Sequence, residues 1–193
     1  LAIDRQGATE VYLDPALSEQ VNVVRHGAWI DRPDTLASRR ERVLREIGYS
    51  IINHRLQSLG RLSDPPFRAA GISTEEVFHE ARSTTLLVQA AEGQWQRGLA
   101  AAQEEYRRAL QDGFSEAEVA EQIANLEGSI EANAAGAATR HNNNFIVGAQ
   151  TLLEDGQIPT TPQSALERFA ATKPLITPAA VLAALQADIV PLD

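Results

Sequence analysis

Apolar positions along this chain change period several times, and each change marks an element. Thr9 to Leu13 puts Val11 and Leu13 on one face, a short strand of period two, and Asp14-Pro15 follows as a turn. Val21 and Val23 alternate within Gln20 to His26 and predict a second strand, antiparallel to the first. After a break at Asp31-Arg32-Pro33-Asp34 the period becomes helical. Leu36, Val43, Leu44, Ile47, Ile51, Leu56 and Leu59 form one stripe, with Asp34 as the expected cap. Arg39, Arg40, Glu41, Arg42, Arg45 and Glu46 largely take the opposite, wet face. Ser63-Asp64-Pro65-Pro66 ends that helix, because proline lacks an amide donor and its ring clashes with the preceding turn. From Phe67 to Ala91, β-branched and aromatic residues are frequent, which predicts two strands turning near Phe78 to Ala81. A helical turn over residues 74–82 is the alternative reading.

The second half is helical. Trp95, Leu99, Ala102, Tyr106 and Leu110 form the stripe of a helix over Gln94 to Asp112. Gly113 suits a positive φ after the last turn, and Ser115 with Glu118 makes a capping box. Phe114 and Val119 are placed as its hydrophobic staple. The next helix carries Val119, Ile123, Leu126 and Ile130 and thins into the alanine-rich run 132–138. A further helix over Arg140 to Glu154 carries Phe145, Val147, Leu152 and Leu153 and stops at Gly156. Thr161-Pro162 and Thr177-Pro178 each read as a cap followed by proline at the first helical position. Strands that arrive in pairs, followed by helices, predict an α+β fold. Its sheet is mostly antiparallel, of about four strands, with several helices on one face. One domain is expected, over residues 9–189, with no internal repeat or low-complexity linker.

Composition narrows the function classes. The net charge is −9, from 17 basic and 26 acidic residues, which argues against a phosphate-backbone partner, so no nucleic acid is expected. Only Lys173 among the basic residues is lysine. With no cysteine there is neither a disulfide framework nor a thiolate site. No window approaches the roughly 18 consecutive apolar residues of a membrane span. The chain opens on Leu1 and contains no methionine, which predicts a processed chain or an excised fragment.

Candidate chemistry is sparse. His26, His54, His79 and His141 are the histidines, and none lies in H-E-x-x-H or H-x-x-E-H. Glu76 and His79 have E-x-x-H spacing, which serves di-iron sites only when a second copy and further glutamates are present. Ser38, Ser58 and Ser83 lack a nucleophile-elbow context, and no glycine-rich phosphate loop occurs. Glu75-Glu76 and Glu104-Glu105 read as solvated faces. Arg140-His141-Asn142-Asn143-Asn144 is an unusual polar cluster. It reads as a solvated helix face or kink before it reads as a cleft lining. No catalytic, cofactor-binding or metal-ligating residue is assigned.

Several motifs in order resemble one family. They are Asn53-His54-Arg55-Leu56 near the end of a helix, Asp64-Pro65-Pro66-Phe67 before a strand, and Gly93-Gln94-Trp95 opening a helix. Gly113-Phe114-Ser115-Glu116-Ala117-Glu118-Val119 and the two Thr-Pro-capped helices follow. Together they resemble the pitrilysin/insulinase zinc metallopeptidases, the inverzincins, in their non-catalytic repeated α/β domain. The resemblance implies the LuxS/processing-peptidase-like fold. In that family an H-x-x-E-H helix in a different domain holds zinc and activates a water. Relatives also place an Arg and a Tyr, seven residues apart, at this helix-to-strand junction in the opposite half of the molecule. Here those positions fall on Gly60 and Phe67, which supply neither a cation nor a hydroxyl. A one-residue shift brings in Arg61 and still leaves no Tyr.

What the resemblance implies is a scaffold domain enclosing the peptide chamber of a bacterial zinc metalloendopeptidase. Its partners would be the catalytic domain of the same chain or a homologous subunit, and the parent's peptide substrate. Zinc would belong to that catalytic domain. A periplasmic setting is expected before a cytoplasmic one. The other reading is a free-standing or non-catalytic processing-peptidase-like interaction subunit.

Overall fold

The computed structural model describes residues 10–12, 14 and 18–192. In chain order the elements are β1 (Gln20–Ala28), α1 (Leu36–Leu59), β2 (Ala69–Val77), β3 (Ala81–Gln89), α2 (Trp95–Asp112), α3 (Glu116–Ala135), α4 (Asn142–Asp155), α5 (Pro162–Thr172) and α6 (Pro178–Asp188). Short 3-10 turns occupy Ala137–Thr139 and Lys173–Leu175. The α+β class is as expected, and the sheet is antiparallel in the order β1-β3-β2.

The sheet has three strands among the described residues, where about four were expected. Glu10, Val11 and Tyr12 lie in no strand, while Thr9, Leu13 and Pro15 fall outside the described residues. Val11 and Tyr12 are 79% and 80% exposed, so alternation over so short a run finds no surface to bury. β1 pairs with β3 instead, Val21 opposite Val88 and Val23 opposite Leu86. Residues 74–82 are resolved as strand, turn and strand. The hairpin turns through Phe78 and His79, both at positive φ (51° and 56°).

Period two gives the sheet two unlike faces. Thr84, Leu86 and Val88 of β3 and Ile72 of β2 are buried beneath the helices. The other face carries Asn22 and Val24 of β1, Thr85 and Leu87 of β3, and Gly71 and Ser73 of β2, and no helix covers it. α1 crosses the helical face against β2, and α2 lies against β3. Ile47, Ile51, Ile52 and Leu56 of α1 are fully buried with Phe67 and Leu86. Gly98 lets α2 come close, since a Cβ there would meet Val88 and the Pro66 carbonyl at 3.2 Å. α6 packs on α1, and α3 on α5.

Helix ends show where local chemistry decides. The α3 capping box forms as expected: the Glu118 amide reaches Ser115 Oγ at 3.3 Å, and the Ser115 amide donates to Glu118 Oε2 at 2.9 Å. Phe114 and Val119 are both buried beside it. Thr161 and Thr177 cap α5 and α6. α1 is capped by Thr35, whose Oγ1 accepts from the Ser38 amide at 3.1 Å, and not by Asp34. Asp34 is drawn off by Arg39 and by the Ile158 amide (2.8 Å). A charged pair outcompetes a neutral cap for that carboxylate. α2 has no side-chain cap of its own; Glu19 supplies it, accepting from the Gly93 and Trp95 amides at 2.7 and 3.0 Å.

Two expectations about helix faces are corrected. Arg39 and Arg45 of α1 are tucked in and paired rather than standing in water. α4 buries none of its residues, and Phe145, Ile146, Val147, Leu152 and Leu153 are all exposed. Phe145 to Val147 are consecutive, so they fan around the helix and cannot share one buried stripe.

Candidate functional site

The segment with most to offer is the junction from α1 through the Pro65-Pro66 turn to β2. Its three motif residues each take a different partner. Leu56 is fully buried in the core. Arg55 faces the α2–α3 corner. Its Nε and Nη2 donate to Glu118 at 2.6 and 2.8 Å, Nη2 also reaches the Gly113 carbonyl at 3.0 Å, and Glu105 lies at 3.5 Å. Its guanidinium stacks 5.4 Å from the Phe114 ring centroid. The hydrogen bond from Arg55 holds the Glu118 carboxyl down at about 2, helped by the Ser115 amide and hydroxyl against the opposing effect of burial. This arginine fixes three helices to one another and lines neither of the two cavities described here.

Asn53 has a different task. Its Nδ2 donates to the Ile72 carbonyl at 3.0 Å, and its Oδ1 accepts from the Ile72 amide at 2.8 Å. β2 is an edge strand, and alternate residues of such a strand aim both polar groups away from the sheet. The Asn53 amide thus occupies the place that another strand's backbone would take at Ile72.

A groove of about 850 Å³ runs beside this edge and onto the open sheet face. Asn53, Gln57, Gly60, Arg61, Arg68 and Glu75 supply most of its polar wall. Gly60 lines it, and Phe67 does not: that ring is 1% exposed and serves the core. At this junction the groove therefore meets the Gly60 backbone, while the Phe67 ring lies in the core. Asp64, in the turn, is held by Arg97 at 2.6 Å, and that hydrogen bond lowers its pKa.

The remaining sequence candidates are dispersed. Glu76 and His79 meet at the hairpin turn, Oε1 to Nε2 3.0 Å, with Asp155 at 3.4 Å and the Trp29 indole donating to Glu76 at 2.8 Å. His54 stands 3.9 Å from Glu121. Among the described residues no three His, Cys, Asp or Glu side chains converge as a metal-ligand set, so the donors present do not fit zinc. Arg140 to Asn144 sit at the start of α4, mostly exposed, with Arg140 5.0 Å over the Phe145 ring, and line neither cavity described here.

Sequence reasoning missed a polar network under the helices. Asp188, buried, takes Arg32 at 2.8 Å, Arg45 at 3.4 Å and the Tyr49 hydroxyl at 2.8 Å. Tyr49 Oη lies 2.5 Å from Thr74 Oγ1, which lies 2.6 Å from Thr84 Oγ1, which accepts from the Val190 amide at 2.8 Å. Burial and the nearby Asp188 push the Tyr49 hydroxyl well above its usual pKa. No motif signals this network, because its members come from five separate segments.

No family model and no curated protein matches this sequence. Solved structures do. The first half of the periplasmic protease PqqL from Escherichia coli superposes with a TM-score of 0.73 at 14% identity, over 95% of this chain and 42% of that one. An insulinase family protease from Yersinia pestis gives 0.72 at 9% identity, over 90% of this chain and 38% of that one. The inactive peptidase M16 domain from Pseudomonas fluorescens gives 0.62 at 17% identity, over 90% and 39%. This chain thus spans less than half the length of each. Its fold is that of insulinase-family peptidase domains, and the resemblance read from the sequence holds at the level of fold.

Proposed function

We propose that this chain is a non-catalytic wall domain, over residues 9–189, of a larger insulinase-type zinc peptidase. The junction supports the reading: Phe67 is buried and Gly60 is bare, and these are the positions that the sequence resemblance matches to a substrate-assisting Tyr and Arg. H-x-x-E-H is absent from the sequence, and no described cluster suits zinc. The open sheet face, which carries Gly71, Ser73 and Thr85 beside Val24 and Leu87, is the surface that would face the peptide. Asn53 keeps the edge of β2 from pairing with that peptide at Ile72. The partner is the zinc-bearing domain, in the same chain or in a homologous subunit, and the parent's substrate is a peptide. PqqL is a periplasmic protease, which supports a periplasmic setting here.

The test mixes the purified chain with zinc and an unstructured peptide. The expected result is neither stoichiometric tight zinc binding nor peptide cleavage. Either one would sink the wall-domain reading.

A further inference from the structure

A cavity of about 540 Å³ opens between the segment after β1, the first turns of α1, and α6. Its floor is small and apolar, with Ala183 and Ala187 of α6. Arg32, Arg40 and Arg45 stand along its wall. The volume is that of a small-ligand pocket.

Arg45 is the unusual member. Its side chain is only 14% exposed, and its one ion-pair partner among the described residues is Asp188, Nε to Oδ1 3.4 Å. Arg32 claims the same oxygen at 2.8 Å, and the Tyr49 hydroxyl takes the other at 2.8 Å. One carboxylate is thus shared by two guanidinium groups and a phenol. Each guanidinium has five N–H donors, and those of Arg45 make no hydrogen bond among the described residues. Those donors stand at the cavity wall and are not sealed from it, so an acceptor that enters can reach them. Burial first, and Arg32 next, push the Arg45 pKa down against Asp188 and Glu41. An anion entering the cavity would meet both needs at once, as acceptor and as counter-charge. Arg40, also without an ion-pair partner among the described residues, stands at the same wall.

Asp31 and Glu41 also line the cavity. With Asp188, already paired to Arg32 and Arg45, they balance the three arginines and disfavour a ligand carrying two negative charges, such as phosphate. A planar carboxylate suits the guanidinium fork. We propose that this cavity binds a single carboxylate carried on a short apolar body, the chemistry of a peptide's C-terminal end. Arg45 and Arg32 hold the carboxylate, and the alanine floor holds the body. The proposal does not depend on the wall-domain reading, and a binding measurement tests it separately.

Acetyl-trialanine with a free C-terminal carboxylate is titrated into the chain by calorimetry, beside its C-terminal amide and inorganic phosphate. Saturable binding of the carboxylate form is expected, with the amide about tenfold weaker or more and phosphate weaker than the peptide. Arg45→Gln should weaken the peptide about tenfold or more. Ala183→Leu should weaken it as well, by filling the floor while every arginine stays in place. That second variant separates a lost contact from a lost fold. Absence of saturable binding, equal binding of acid and amide, phosphate tighter than peptide, or binding that survives both substitutions overturns the proposal.

Discussion

α1 and α4 both announce themselves as helices in the sequence, and they end in opposite situations. α1 buries Leu44, Ile47, Gly48, Ile51, Ile52 and Leu56 between the sheet and α6. α4 buries nothing, although it carries as many large apolar side chains for its length. Its C-terminal end is instead tied by polar contacts. His79 meets Asp155, Arg42 meets Gln157 at 3.1 Å, and Asp34 and Arg39 hold the backbone of Ile158 at 2.8 and 2.6 Å. The difference teaches that apolar periodicity describes what a helix offers, not what receives it. α1 offers one stripe and finds a sheet; α4 offers side chains all round and finds ends to hold.

The comparison breaks most clearly in the α1 core. Leu56→Ala should cost about 3 kcal/mol in denaturant unfolding, through lost burial and the cavity left behind. If it costs under about 1 kcal/mol, α1 is not the buried helix described here. Next in size, Asn53→Leu should cost about 2 kcal/mol, because the Ile72 amide and carbonyl lose their acceptor and donor together. Amide exchange at Ile72 should quicken with it, and an unchanged rate would show that Asn53 does not protect the edge.

Acid sharpens the picture at the α1–α3 contact. Glu118 has its folded pKa lowered to about 2 from 4.5, so its stabilising effect is complete above pH 4.5 and fades as pH falls towards 2. The stability gap between the parent and Glu118→Gln should therefore narrow over that window. A gap that stays constant would place Arg55 elsewhere. Glu19→Ala, which uncaps α2, should cost about 1 kcal/mol. Smallest of all, Leu153→Ala on α4 should stay within about 0.5 kcal/mol of the parent, as its side chain is 85% exposed.

These features differ in how far each could be read from sequence. The start of α3 was fully legible, since Phe114, Ser115, Glu118 and Val119 carry its cap and staple over the adjacent run from Phe114 to Val119. The β2–β3 hairpin was legible as two strands turning near Phe78 to Ala81, yet the positive φ of Phe78 and His79 was not, since neither is a glycine or asparagine. The α1 cap was misplaced by one residue, since Asp34 answers to Arg39 and to a backbone amide 124 positions away. Glu19 caps α2 from 74 and 76 positions away, which no local pattern encodes. The junction motif was visible, but only the fold shows that Asn53 and Arg55, two residues apart, serve opposite sides of α1.

Asn53 has one more consequence. A β-sheet has no intrinsic width: an edge strand remains a template for the next strand, from the same molecule or from another. In this protein the limit at β2 is set from outside the sheet, by a residue on a helix whose amide reproduces one peptide group and offers nothing further to pair with. The count of strands on that side is thus decided on α1 and not in the strands. At Ile72 the block to further pairing sits on a helix position and not in the strand.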